Sequence, residues 1–399
     1  MKILLLTPIY PAKNEKKTVS PVVHYFTREW VKMEHEVQVI HFSVTFPKLF
    51  YLIARPISKF LSSHVGTEIR TWALPECNYT WENVQVKQIP LKKYRPHGRY
   101  SPKVINMAVQ KVINYCREKK FVPDVIISHW VNPQYEIMHY LKAHYSVPTC
   151  FVAHDGGHDL HTIYRQEVSQ YISETDIFGY RSAPIKKVFE QRFGCTQKPS
   201  FQCYSGVPEV YIRQQERTIV NAKRFIFVGT LIRRKYPTTI LPALCEAIGD
   251  KDFSISYVGE GYEQKHIMQT AQKYGIADKV KLMGFMQRDE VIRQLDENDV
   301  FVMISRNETF GLVYLEAMAR GCITIASRGE GFDGVIEHGV NGFLCKAGNS
   351  NELANIIRHI CTLLPEERLR ISKNAMETAS ALTDKRAAEK YINAISKII

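Results

Sequence analysis

Two glutamates frame the segment SRNETFGLVYLEAMARG, residues 305–321: Glu308, then seven residues, then Glu316. The segment follows an apolar run, and a helix is expected from about Phe310–Gly311 to Arg320. The first N–H groups of a helix have no partner within it and favour a phosphate. Gly311 lets a ligand approach the backbone closely. Glu316, further along the helix, can offer a carboxylate to a sugar hydroxyl. The residues thus describe an anion site flanked by two carboxylates. A helix-start charge at Glu308 and a surface acid at Glu316 would account for them equally well.

Other segments carry chemistry of the same kind. FVGTLIRRK (Phe227–Lys235) places Gly229, Thr230, Arg234 and Lys235 after an apolar run, where cations could meet a phosphate or simply be solvated. YVGEGYE (Tyr257–Glu263) holds a lone G-x-G at Gly259 and Gly261, too little for a dinucleotide fingerprint. FVAHDGGHDL (Phe151–Leu160) brings His154 to the end of another run, with His129, His158 and His161 nearby in sequence. Those histidines raise a metal site, whose ligands would have to converge in space.

These loops need elements to position them. Apolar runs of about five residues occur at Lys2–Thr7, Glu36–Phe42, Asp124–Ser128, Thr149–Ala153 and Asp176–Tyr180. They recur at Arg224–Val228, Ser254–Val258, Val280–Met283, Asp299–Ile304 and Cys322–Ala326. Near-continuous apolar runs suit strands buried on both faces. Amphipathic stretches such as Pro237–Ile248 and Tyr262–Tyr274 alternate with them, which implies α/β architecture with parallel sheets and right-handed crossovers. The pattern restarts near residue 224. We therefore expect two doubly wound domains, 1–205 and 206–382, with a helix at 383–399 packing back on the first. Ligands of such sheets bind beyond the strands' carboxyl ends, so two of them facing each other would form a cleft lined by these loops.

The chain has 399 residues, 45% of them hydrophobic and 23% charged, with a mean hydropathy of −0.22. These values exclude disorder and collagen-like repeats, and no run approaches the ~20 apolar residues of a spanning helix. The apolar stretch at the start is too short for a signal peptide. Nine scattered cysteines, none spaced as Cys-x-x-Cys, suit a reducing cytoplasm. The net charge of +13 is uneven, because residues 1–205 hold 27 basic and 16 acidic side chains. Within 86–120 ten basic residues meet a single acid, Glu118. Such a field attracts a polyanion or an anionic membrane surface, unless it is simply solvated. Nucleic acid is not expected, since no recognition motif accompanies the charge. Upstream, KLFYLIARPISKFL (48–61) mixes apolar and basic residues as interfacial segments do, and Pro56 should divide it into two short helices.

The motif E-T-F-G-L-V-Y-L-E-A-M-A-R-G, from Glu308 to Gly321, resembles the signature of glycosyltransferase family 4. Members are retaining, nucleotide-sugar-dependent transferases of the GT-B fold. FVGTLIRRK resembles the family's strand–Gly–loop–Lys element, in which Lys235, with Arg234 beside it, would contact the donor diphosphate. KLMGFM (Lys281–Met286), with Gly284 and Phe285, resembles the segment that borders the nucleotide base. SRGEGFDGVIEHGVNGF (Ser327–Phe343) resembles the late glycine-rich loop. His154 takes the place of the family's cleft-floor histidine.

The resemblance implies catalytic roles for Glu308, Lys235 and His154. It implies donor binding by Glu316, Arg234, Gly229, Thr230, Phe310, Gly311, Leu312, Gly259, Gly284 and Phe285. No metal or cofactor is implied. Two departures stand out: Thr230 replaces a frequent arginine, and the first loop, Pro8–Ser20, lacks the usual paired glycines. Lys13, Lys16 and Lys17 stand in that loop and, with His129, are acceptor-side candidates. Residues 43–105 match no motif and are expected to shape acceptor binding.

The expected activity is transfer of a hexose-type sugar, with UDP-hexose preferred by family frequency, to a hydroxyl of a glycan acceptor. The basic first half suggests a lipid-linked acceptor at the inner membrane face, as in surface polysaccharide assembly. A non-catalytic glycan-binding or scaffold protein and a GT-B nucleotide-sugar epimerase are the alternatives. A Rossmann oxidoreductase is excluded because T-P-I-Y-P follows the first strand where G-x-G-x-x-G is required.

Overall fold

A computed structural model describes residues 1–11, 21–65, 71–94, 98–249 and 252–399. Lys13, Lys16 and Lys17 lie outside the described residues. The chain divides into two compact units. The first contains Met1–Lys59, Glu68–Tyr204 and Asp384–Ile399; the bulk of the second is Ser205–Thr383.

The first unit is built on an eight-stranded sheet: β1 (Lys2–Thr7), β2 (Glu36–Thr45), β3 (Cys77–Trp81), β4 (Val84–Lys92), β5 (Val125–His129), β6 (Thr149–Ala153), β7 (Ile177–Tyr180) and β8 (Ser200–Gln202). Their order is β3-β4-β2-β1-β5-β6-β7-β8, all parallel except the β3–β4 hairpin. β1, β5, β6 and β7 are buried almost throughout, as continuous apolar runs require. β3 and β4 were not expected. β3 alternates between half-buried and exposed residues and β4 mostly between buried and half-buried ones, and Glu82 and Asn83 turn between them with φ of 44° and 67°. Asn tolerates that left-handed region better than most residues.

The helix Lys48–Val65 is continuous through Pro56, contrary to the two short helices expected. Proline deprives the carbonyl four residues back of its partner. Here that carbonyl belongs to Leu52, an exposed residue on an exposed face, so the helix is not forced to break.

The helix Asp384–Ile395 packs on the helix Val22–Lys32. Tyr391 meets Phe26 and Trp30 edge-on, with ring centroids 5.2 and 4.9 Å apart, and the Trp30 indole donates to the Ala388 carbonyl at 3.1 Å. Arg28 pairs with the buried Asp384 at 2.9 Å.

The second unit is a six-stranded parallel sheet of β9 (Arg224–Val228), β10 (Ser254–Val258), β11 (Val280–Gly284), β12 (Val300–Val302), β13 (Ile323–Ser327) and β14 (Phe343–Cys345), ordered β11-β10-β9-β12-β13-β14. Its order changes direction at β9, whose neighbours are β10 and β12. In parallel sheets such a point opens a crevice at the strands' carboxyl ends. The loops after β9, β10, β11 and β12 lie at those ends.

Tyr391 is fully buried against two aromatic rings. Tyr391→Ala is therefore expected to lower the stability of the first unit by about 3–5 kcal/mol, measured as a shift of its urea unfolding transition.

Candidate active site

In the second unit the loop after β9 and the loop after β12 lock together. The Arg306 N–H donates to the Arg234 carbonyl at 2.8 Å, and the Arg234 guanidinium reaches back to the carbonyls of Arg306 and Asn307 at 3.3 and 3.4 Å. This brings Lys235 Nζ and Arg234 Nη1 to 3.6 and 3.8 Å from Glu308 Oε2. Both are ion-pair distances, too long for hydrogen bonds. Glu308 Oε2 is sealed from solvent and has no hydrogen-bond partner. The two cations compensate that oxygen, and Oε1, which is not among the sealed atoms, is the one a ligand can reach. The Glu308 N–H donates to Glu330 Oε2 at 3.0 Å. Burial raises the Glu330 carboxyl above its usual range.

Gly311, with φ of 83°, caps the helix Leu312–Ala319. A side chain there would run into the Tyr314 ring. The Tyr314 hydroxyl donates to the Met303 carbonyl at 2.8 Å and lies 3.0 Å from Ser305 Oγ, so this buried tyrosine anchors the end of β12 beneath the glycine. The Phe310 side chain is buried against Phe332 and belongs to the core; only its backbone can face a ligand.

Glu316 is not a surface acid, because it is only 6% exposed, and its Oε1 accepts from Arg288 Nε at 2.6 Å. Gly259 closes the loop after β10. Its N–H donates to the Gly284 carbonyl at 2.7 Å, and a side chain would strike the Gly229 carbonyl. What the structure gives Gly259 is this packing of three strand ends. Gly284 has φ of 72°, and Phe285 beside it is exposed. Thr230 and Leu312 lie in the same two loops. Sequence reading missed Glu330 and Arg288, which bond to the two motif glutamates; neither stands at a spacing that marks it.

In the first unit His154 follows β6. Its Nε2 lies 3.0 Å from His129 Nδ1, and its ring stacks on Trp130 at 3.7 Å. His129 Nε2 lies 3.1 Å from the Tyr391 hydroxyl. His129 is fully buried, so it is an internal partner of His154 and not a surface for an acceptor. Burial holds both imidazoles well below the usual histidine range; the Arg181 charge adds to this for both, and His129 adds to it for His154. His158 and His161 are exposed. Among the described residues no three His, Cys, Asp or Glu side chains group as a metal site.

The basic run is partly compensated from outside it. Lys87 and Lys111 pair with Glu76, Arg99 pairs with Glu136 and Glu167, and Lys93 is buried over the Tyr100 ring. Arg95 lies outside the described residues. Lys92, Lys103, Arg117, Lys119 and Lys120 remain exposed.

Residues 211–378 match the model of the family glycosyl transferases group 1. N-acetyl-alpha-D-glucosaminyl L-malate synthase of Bacillus anthracis is 32% identical over 147 residues, 37% of each chain. A glycosyltransferase of Methanocaldococcus jannaschii is 26% identical over 80% of this chain and 85% of its own. Among solved structures, Anabaena HepE in complex with UDP superposes with a TM-score of 0.70 at 19% identity, over the full length of both chains. Sucrose-phosphate synthase from Thermosynechococcus elongatus gives 0.70 at 15%, over all of this chain and 99% of its own. The chain has the GT-B fold. The match over 211–378, with these relatives, supports a glycosyltransferase.

A histidine whose folded pKa is lowered holds fewer protons folded than unfolded. Its contribution to stability is complete above the unfolded value near 6.5 and is lost as pH falls below it. The melting temperature is expected to drop between pH 7.5 and 5.5, and to drop less in His129→Gln, as read by calorimetry across that range.

Proposed function

We propose that this protein transfers a hexose-type sugar from a nucleoside-diphosphate donor to a hydroxyl of a glycan acceptor, with retention at the anomeric carbon. The observation that carries this reading is the Glu308 carboxylate, with one oxygen sealed beside two cations and the other left open. The open oxygen would accept from a donor-sugar hydroxyl, and the cations would meet the diphosphate. As the glycosidic bond breaks, negative charge grows on the leaving diphosphate. Lys235, Arg234 and the N–H groups after Gly311 would stabilise it where it develops. Glu316 would bind the ribose, and the Gly284–Phe285 turn would border the base. His154 would border the donor sugar as a neutral imidazole. The reading requires no metal. UDP is the preferred nucleotide, which the UDP bound by HepE supports.

The proposed acceptor is lipid-linked, at an anionic membrane surface, in surface polysaccharide assembly. Leu49, Leu52 and Ile53 support this. They are 66%, 68% and 60% exposed on adjacent turns of the helix Lys48–Val65. Lys48 and Arg55 flank them, and no acidic residue occurs from 37 to 67. Apolar side chains beside cations suit an interface of anionic lipid.

A thermal-shift panel of UDP-, GDP- and ADP-sugars tests the donor site. One nucleotide is expected to stabilise the protein. Glu316→Ala should weaken its binding by about 1–3 kcal/mol, the range for a hydrogen bond to a charged group. Glu308→Gln should keep the free nucleotide and lose transfer; full transfer by this variant would remove its role.

Co-sedimentation with phosphatidylglycerol vesicles tests the membrane surface. Binding is expected at low salt and should fall at least several-fold when Leu49, Leu52 and Ile53 are changed together to serine. Equal binding by wild type and variant would remove the helix from the proposal.

A further inference from the structure

Glu316 has one oxygen that the protein holds and one that it leaves open. Oε1 accepts from Arg288 Nε at 2.6 Å. Oε2 has no protein hydrogen bond among the described residues, and it is not among the atoms sealed from solvent. Arg288 begins the helix Arg288–Glu297, four residues beyond Gly284. It is held in turn from the far side. Its guanidinium lies over the Tyr211 ring, 5.2 Å from the centroid, and the Tyr211 hydroxyl donates to Asp289 Oδ1 at 2.5 Å. A planar guanidinium can stack on a ring and donate sideways from Nε at the same time, which an ammonium cannot do. The clamp therefore runs from Tyr211 through Arg288 to one face of the Glu316 carboxylate.

We infer that Arg288 is a positioning residue that fixes the Glu316 carboxylate so that Oε2 meets the ribose hydroxyls of a nucleoside diphosphate. This rests on the reading of Glu316 as the ribose ligand. The physical need is specific. A glutamate has three rotatable bonds, and an unclamped side chain must be ordered by the ligand itself. A buried carboxylate is also unfavourable once its compensating cation is gone. Arg288 meets both needs while leaving Oε2 open. Asp289 lies on the Tyr211 side of the clamp and does not compete for Glu316.

The test compares ribose with its absence. Dissociation constants are measured by calorimetry on the full chain for UDP, GDP and ADP and for their 2′,3′-dideoxy counterparts. Wild type, Arg288→Met and Glu316→Gln are compared, with melting curves to establish folding. Wild type is expected to prefer its ribonucleotide by about tenfold or more, as a hydrogen bond to a charged group allows. In Arg288→Met the ratio should fall towards one, while affinity for the dideoxy nucleotide stays within about twofold. If Arg288→Met does not fold, Arg288→Gln is judged by the same ratio. A variant at position 288 that keeps the wild-type ratio, while Glu316→Gln loses it, overturns the role of Arg288 alone. Equal weakening of both nucleotides would show a merely structural role and also overturn it. A Glu316→Gln protein that keeps the ratio removes the ribose reading, and this inference with it.

Discussion

A carboxylate oxygen withdrawn from water with no hydrogen bond is tolerated only where cations compensate it. Glu308 Oε2 is in that condition, and Lys235 and Arg234 stand within 4 Å of it. The loops of the second unit depend on this arrangement. Arg234 can face Glu308 because its guanidinium and its carbonyl both bond to the loop after β12. That loop holds Asn307 at φ of 55°, a left-handed conformation that asparagine tolerates better than most residues. Glu330 fixes the loop by accepting the Glu308 N–H, and Tyr314 anchors the strand end beneath Gly311. Shifting one of these loops would disturb the other. Preorganisation of this kind allows fixed charges to act on a reacting group without first rearranging.

The first unit solves a related problem with neutral groups. His129 and His154 are buried together, where a second proton would put like charges side by side next to Arg181. The low dielectric keeps both imidazoles neutral, so they are linked by a hydrogen bond and not held apart by repulsion. The third member of the ladder, Tyr391, comes from the final helix, 262 residues away from His129. The same ring packs against Phe26 and Trp30. The last helix therefore completes an apolar core and a polar chain with one side chain.

The positive charge of the first half is less free than its density in sequence suggests. The 86–120 window contains one acid, yet Glu76, Glu136 and Glu167 reach into it from outside. The pairs with Glu76 and Glu167 are part-exposed and contribute little stability, whereas Glu136 is buried, and all of them reduce the local field. In the helix Lys48–Val65, by contrast, exposed leucine and isoleucine stand beside lysine and arginine with no acid between residues 37 and 67.

The α/β architecture and the glutamate motif are legible in the order of the residues. Strands buried on both faces must be apolar without interruption, so β1, β5, β6, β9, β10 and β13 are visible as runs. The Glu308–Glu316 spacing is visible because both residues belong to one loop and its helix. β3 and β4 escaped notice because polar residues alternate along them and break the apolar run, and β8 and β14 because three residues carry no period. Tertiary structure alone decided the burial of Glu316 and the partners of the glutamates. Arg288 lies 28 residues from Glu316, and Glu330 lies 22 from Glu308. Periodicity records how a segment meets its own surroundings. Which side chains meet across such gaps depends on strand order, crossover hand and loop closure, and those are settled only when the sheet assembles.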